Sequence, residues 1–488
     1  MTEQETTQAP EKSLLAKCQS GKICIPALGA MGVGLITALI FAIADGHYGM
    51  ARFMFSYLIS FAFFLSISLG SLFFVLIQYI SRAGWSVTSR RVAEVLAMTM
   101  PVMAIAFLPI AGSVLLGNGG LYPWAIPYAE LAALADHKQP VEPLVVEGQQ
   151  VETHGSDVKL SAHDEYAPKE HKASHVEKSK SLHAPTVDLS NYREIPGVID
   201  IYTEAIYTKK KVGFLNAPFF IIRWIVFFAI WIGLSFTFWK KSVEQDTTGD
   251  PMLTRKMERL AAPSIVLFAL TVTFGAFDLL MSLSPAWFST IFGVYYFSGA
   301  MLATFATLIL VLSFLKRQGI IDDKTVNKEH LQDHGKFMFG FVVFWAYIAF
   351  SQYMLIWYAS LPETTFWFVA RGATTVPADF NTWSFVSIGL VLGHFLLPFL
   401  ALMSRHVKRT QALLVFWAAY LLVFHWIDLW WVVMPEMSTQ MKLGIVELSC
   451  LLGLGGLYVA AAVWIGSLNA IVPQKDPRLA EALAFKNM

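Results

Sequence analysis

Residues 260–283 read LAAPSIVLFALTVTFGAFDLLMSL, an apolar run whose single charged side chain is Asp278. At about 1.5 Å of rise per residue, a helix of this length crosses a hydrocarbon core of roughly 30 Å. Backbone amides have no water to bond in lipid, so a run this long and apolar is read as a membrane-spanning helix. The run closes on Asp278-Leu279, then five residues, then Pro285; residues 411–434 close the same way, on Asp428-Leu429, five residues and Pro435. Two polar groups recur at one depth in two helices of the same sense, which points to an internal repeat.

Working outward, ten stretches meet the same test: 23–44, 51–80, 92–117, 214–239, 260–283, 288–315, 337–359, 381–404, 411–434 and 443–470. Composition agrees. Of the 488 residues 56% are hydrophobic and only 15% charged, against about a quarter charged in soluble domains. The expected fold is an all-α polytopic membrane protein of about ten helices. Spans 2–5 and 6–9 form two tandem four-helix bundles, with spans 1 and 10 flanking them, because four helices separate the two aspartate–proline units. Ala42-Ile43-Ala44 resembles a signal-peptidase site, but the apolar stretch before it exceeds a usual signal core, so the first span is expected to be retained.

Charge sets the expected orientation. The termini and the connections on their side hold 22 Lys or Arg, whereas the short connections opposite hold only Arg52, Arg371 and Lys442. Basic residues stay in the cytoplasm, so both termini are expected there. The organisation is then a cytoplasmic tail (1–22), helices 1–3 (23–117), a long periplasmic loop (118–213), helices 4–10 (214–470) and a second cytoplasmic tail (471–488). The loop is rich in Glu, Lys, His, Ser and Pro and poor in large apolar residues, as in a solvated tether. Its six histidines lack regular ligand spacing. A net charge of +1 excludes a nucleic-acid surface, and three cysteines without a CxxC or CxxCH motif exclude a self-contained iron–sulfur cluster, zinc finger or attached c-type haem.

Ionisable groups inside a span cost about 2.5–3.5 kcal/mol on the insertion scale unless paired or hydrated, so each needs a reason. Asp278, Asp428 and Glu447 fall in the outer layer, with His425 one turn below Asp428 and Arg223 at about His425's depth; His394 lies on the inner half of span 8 and Glu94 near the inner surface. Three readings remain open. The groups lock the bundles, with Asp428 and Arg223 as an ion pair; or Asp428, His425, His394 and Glu94 form a descending proton path; or Asp278 and His425 accept protons from a quinol whose ring lies among Trp426, Trp430 and Trp431. His394 and His425 differ in estimated depth by about one and a half turns, which disfavours a shared haem iron.

The run Phe277-Asp278-Leu279-Leu280-Met281-Ser282-Leu283, continuing through Trp287-Phe288-Ser289-Thr290-Ile291-Phe292-Gly293-Val294-Tyr295-Tyr296-Phe297, resembles the F subunit of bacterial alternative complex III. So do GKFMFGFVVFWAYIAFSQYMLIWY (335–358), Pro362-Glu363-Thr364, Arg371, and the LYPWA and FLNAPFFIIR segments that flank the long loop. The likeness covers nearly all ten spans and departs at an insertion, about 136–205. It implies a ten-helix membrane subunit of the polysulfide-reductase-like superfamily, with no redox cofactor of its own. The implied complex oxidises quinol and reduces cytochrome c or a partner oxidase. Haem and iron–sulfur clusters are then expected in partner subunits: a multihaem cytochrome c, an iron–sulfur protein and a sister membrane subunit of similar fold, to which the quinol site is usually assigned. The aspartate before the sister's P-x-W-x-S/T-T-I-F run corresponds to Asp278. The alternatives are a stand-alone secondary transporter and the quinone-binding anchor of a polysulfide-reductase-like enzyme. The transporter reading expects broken spans at matching midplane positions, whereas Pro101, Pro109 and Pro398 do not match.

Overall fold

The computed structural model describes residues 23–117, 121–125, 211–359, 361–374, 379–438 and 440–486. Ten of the described helices are long and apolar enough to cross a membrane: α1 (Cys24–Ala44), α2 (Tyr48–Ile80), α3 (Val87–Leu115), α4 (Ala217–Thr248), α5 (Pro251–Leu283), α6 (Phe292–Arg317), α7 (Lys328–Ala359), α8 (Ser384–Met403), α9 (Gln411–Glu436) and α10 (Ile445–Gly466). No strand occurs among the described residues. The chain is an all-α polytopic membrane protein. All ten helices belong to one unit, residues 1–135 and 195–488; a second unit, 136–194, and most of the expected long loop with its histidines lie outside the described residues.

Two closed rings of helices make the core. Helix α2 packs on α3, α3 on α4, α4 on α5 and α5 back on α2, while α6–α7–α8–α9 close in the same order. The rings meet chiefly through α2 and α6, and α1 and α10 pair with each other against the outside of α2. The expected tandem bundles with two flanking helices are therefore present. The α1–α10 seam is built from small residues: a Cβ on Gly34 would fall 2.4 Å from Gly453 N, and one on Gly456 would fall 2.4 Å from Ala27 O. With lipid as solvent, such backbone approach replaces hydrophobic burial as the force holding two helices. Outward faces carry exposed Ile36, Ile40, Val266, Leu270, Phe385 and Leu400, as a lipid-facing surface requires.

Several helices run beyond the apolar stretch. Helix α4 continues to Thr248 and α5 begins at Pro251, so 240–259 is a helical hairpin with Gly249 at its left-handed turn (φ 68°). Helix α7 starts at Lys328 rather than near 337, which buries His330 and His334, as His394 and His425 are buried. Arg52, expected in a connection, lies on α2. Two spans are irregular. Helix α3 restarts at Met100 and Leu108, one residue before Pro101 and Pro109, and Thr99 Oγ1 donates to Leu96 O at 2.7 Å beside the first break. Helix α8 contains a π-helical stretch, Leu390–Leu396, immediately before Pro398.

Candidate functional site

One end of the first bundle is built from FLNAPFFIIR, residues 214–223. Asn216 caps α4 by accepting from Phe219 N at 2.9 Å, and Pro218 sits in the first turn, where a missing N–H costs nothing. Helical spacing then delivers Arg223 to Asp278 on α5. Its Nε donates to Oδ2 at 2.7 Å and its Nη2 to Oδ1 at 2.9 Å, and a third donor reaches Phe214 O at 2.8 Å. The guanidinium also lies over the Phe214 and Phe219 rings, at 3.9 and 4.3 Å. Both carboxylate oxygens and the guanidinium are thus satisfied in a buried, two-pronged pair. The partner of Arg223 is Asp278, not Asp428 as the structural reading expected: Arg223 stands on α4, within the bundle that contains α5, whereas Asp428 belongs to the other.

Asp428 occupies the equivalent place on α9 with different neighbours. Tyr295 of α6 donates its hydroxyl to Oδ1, and Trp345 of α7 donates Nε1–H to Oδ2 at 3.1 Å. Among the described residues no cation pairs with this carboxyl group, which is 2% exposed. Helix α8, the counterpart of α4, has His394 as its sole ionisable side chain. The π turn carries that histidine, fully buried, with its ring 4.0 Å from the Trp345 ring. Among the described residues neither His394 nitrogen has a hydrogen-bond partner. His425, one turn below Asp428, faces α2: its Nε2 is 3.0 Å from Ser66 Oγ. Gly299 of α6 admits the ring, since a Cβ there would lie 2.6 Å from His425 Cε1.

The remaining expected residues are elsewhere. Glu447 caps α10 through Gly444 N (2.9 Å) and binds Arg52 of α2 at 2.7 and 3.0 Å, tying the flanking pair to the first bundle. Glu94 lies in the first bundle, within an inner cluster, and so does not continue the Asp428–His425–His394 series. It contacts Arg90 (3.4 Å) and Arg91 (3.0 Å); those arginines reach Asp476 of the C-terminal segment at 2.5 Å and Asp246 at 2.8 Å. The outer tryptophans pack on other rings and backbone. Trp430 meets Trp383 at 4.6 Å, and Trp431 donates to Ser387 Oγ at 2.8 Å.

The two bundles repeat in their caps as well as their aspartates. At the end of α5, Trp124 Nε1 donates to Ser282 O (3.1 Å) and Tyr122 to Leu279 O (2.9 Å). At the end of α9, Arg371 donates to Val432 O at 2.6 Å and to Glu436 at 2.5 Å. Ser282 and Val432 stand at the same remove from Asp278 and Asp428, and the capping residues come from the corresponding loops, after α3 and after α7. Ser284 donates to Glu436 Oε2 at 2.7 Å, joining the two outer turns. Burial pulls the Arg371 guanidinium down to about 10 while Glu436 opposes the shift, so the cap stays cationic near neutrality. Burial, helped by the Asp278 charge, holds the Tyr122 phenol well above its usual range.

Tyr295, Trp345 and Ser66 escaped sequence reasoning as site residues, because aromatic and hydroxyl residues of this kind occur throughout the spans; the helix pairing alone selects these three. An aromatic cleft of about 690 Å³ opens between α2, α6 and α7, lined by Phe73, Trp85, Phe297 and Phe341, with the Asp333–Lys336 pair (2.7 Å) at its rim. No group of three His, Cys, Asp or Glu suited to a metal ion occurs among the described residues. The chain matches no protein-family model, and no curated protein is significantly similar to it.

Proposed function

We propose that this chain is the scaffold and proton-handling membrane subunit of a quinol-oxidising respiratory complex in the bacterial cytoplasmic membrane. Its partners would be a multihaem cytochrome c, an iron–sulfur protein and a sister membrane subunit, with electrons passing to cytochrome c or a terminal oxidase. The resemblance in the α5–α6 and α7 runs supports the complex. The observation that carries the proton role is the inequality of the two repeated aspartates. Protonating Asp278 would strand the buried Arg223, and breaking such a pair costs about 3–5 kcal/mol. Asp428 is held by neutral donors, so its charge can change without leaving a cation unpaired.

The donors also favour one oxygen. An indole N–H only donates, so Oδ2 keeps its role as acceptor. A hydroxyl can donate or accept, so a proton arriving on Oδ1 is accommodated when Tyr295 turns from donor to acceptor. In this reading Asp278 is a lock and Asp428 the exchanging group. Asp278→Asn is expected to lower the yield of assembled complex, and Asp428→Asn to preserve yield and quinol binding while reducing protons released per quinol. Loss of yield in Asp428→Asn, with normal turnover and stoichiometry in the complex that survives, would remove the proton role. Absence of a multihaem cytochrome from the purified assembly would remove the complex.

The aromatic cleft favours a second, quinone-proximal role, because a flat ring and tail suit an apolar slot open to lipid. Photolabelling by an azidoquinone at Phe297 or Phe341 supports that role, and labelling confined to the sister subunit dismisses it.

A further inference from the structure

A second cleft, of about 650 Å³, lies where α2 ends and α5 begins. Four guanidinium groups line it: Arg82, Arg255, Arg259 and Arg478. The single carboxylate, Glu258, is shared between Arg82 (3.2 Å) and Arg478 (2.8 Å), and among the described residues Arg255 and Arg259 form no ion pair. The cluster therefore carries a surplus of three positive charges. Its level is set by the helices. Ile80, the last residue of α2, forms part of its wall, and the apolar part of α5 starts at Leu260, directly after Arg259. Below Arg259 the outward face of α5 is exposed and apolar through Val266, Leu270 and Phe274. A basic pocket thus sits one step above a lipid-facing stripe.

Arg82 itself has a left-handed backbone (φ 52°), the one non-glycine residue with positive φ among the described residues. The turn it closes, with Ala83 N donating to Gln78 O at 3.0 Å, is the kind that glycine makes without strain. The guanidinium, then, is carried at a position where the backbone would favour glycine.

We propose that this cleft binds the phosphate headgroup of an anionic phospholipid, whose acyl chains lie along the exposed face of α5. Guanidinium groups match phosphate oxygens in pairs, and basic pockets between helices at the membrane surface select acidic lipids over zwitterionic ones. The site rests on the membrane-spanning fold alone and is independent of the proton reading. The test is native mass spectrometry of the purified full chain, titrated with phosphatidylglycerol or with phosphatidylcholine of the same acyl chains. Phosphatidylglycerol is expected to be retained selectively, and inorganic phosphate not to displace it. Arg255→Gln with Arg259→Gln should weaken retention about tenfold. Arg82→Gly, which suits the turn, should weaken it without unfolding the chain. Arg317→Gln with Lys324→Gln, which removes one exposed charge at the end of α6 and another in the connection that follows, should leave retention unchanged. Equal retention of the two lipids, full displacement by inorganic phosphate, or unchanged retention in both cleft variants would overturn the proposal. So would an equal loss in the Arg317/Lys324 variant, which would reduce the effect to general surface charge.

Discussion

At the scale of single residues, two aspartates equivalent in the repeat differ in their donors, and the difference can be measured. Replacing Arg223 by Ala leaves Asp278 charged and buried, so this single variant should destabilise by about 3–5 kcal/mol. Arg223→Ala with Asp278→Ala should recover part of that loss, because no unpaired charge remains; equal loss in single and double variants, read by thermal melting, would show that the pair contributes nothing. At Asp428 the two donors should behave differently. Tyr295→Phe removes the group that can reverse its hydrogen bond and is expected to reduce proton release per quinol more than Trp345→Phe does. The opposite ranking would place the exchange on Oδ2. Gly299→Ala tests the room given to His425: with a Cβ 2.6 Å from Cε1 the ring has to shift, at about 1–3 kcal/mol.

At the scale of elements, the seams and the irregular turns place the side chains. The Gly34–Gly453–Gly456 seam holds α1 to α10 by backbone contact, so Gly34→Val and Gly456→Val should each lower the melting temperature. Their combination should be less than additive, because the first substitution already opens the seam. Full additivity would mean that the helices do not meet there. The π turn of α8 depends on an extra residue in the helix, and deleting one residue from it rotates everything before or after it by about 100°. The apolar character of α8 predicts a helix but not this turn. Pro398 marks only its end, and the turn aims His394 at Trp345.

At the scale of the whole molecule, ten crossings and the distribution of Lys and Arg combine into a topology. A single cysteine introduced at position 250, in the hairpin between α4 and α5, should be protected from an impermeant reagent added outside, while one at position 441, between α9 and α10, should react. Labelling of 250 and not 441 would invert the orientation. The two bundles share a plan of aspartate, capped carbonyl and proline, yet only the first supplies an arginine from its third helix. One copy of the plan is consequently a rigid anchor, and the other retains a carboxyl group among neutral partners.

Much of this was determined by the sequence alone, since lipid imposes one solution on a long apolar run. The number of spans, their all-helical character, the tandem bundles marked by Asp278–Pro285 and Asp428–Pro435, and the placement of Asp278, Asp428 and Glu447 near the ends of their helices all follow from length, hydropathy and spacing. Helix ends were less legible. The polar first turns of α5 and α7 open on Asp250-Pro251 and Asn327, whose side-chain oxygens accept from Met252 N (2.8 Å) and Glu329 N (2.9 Å), and neighbouring helices and the C-terminal segment satisfy the polar side chains that follow. Partnership was decided by tertiary structure. Arg223 could have met either aspartate at its depth, and only the closing of α4 on α5 assigns it to Asp278; Glu94 and His394 were assigned to separate bundles in the same way. Depth along a helix is a one-dimensional quantity written in the chain, whereas the direction a side chain faces depends on which helices pack together.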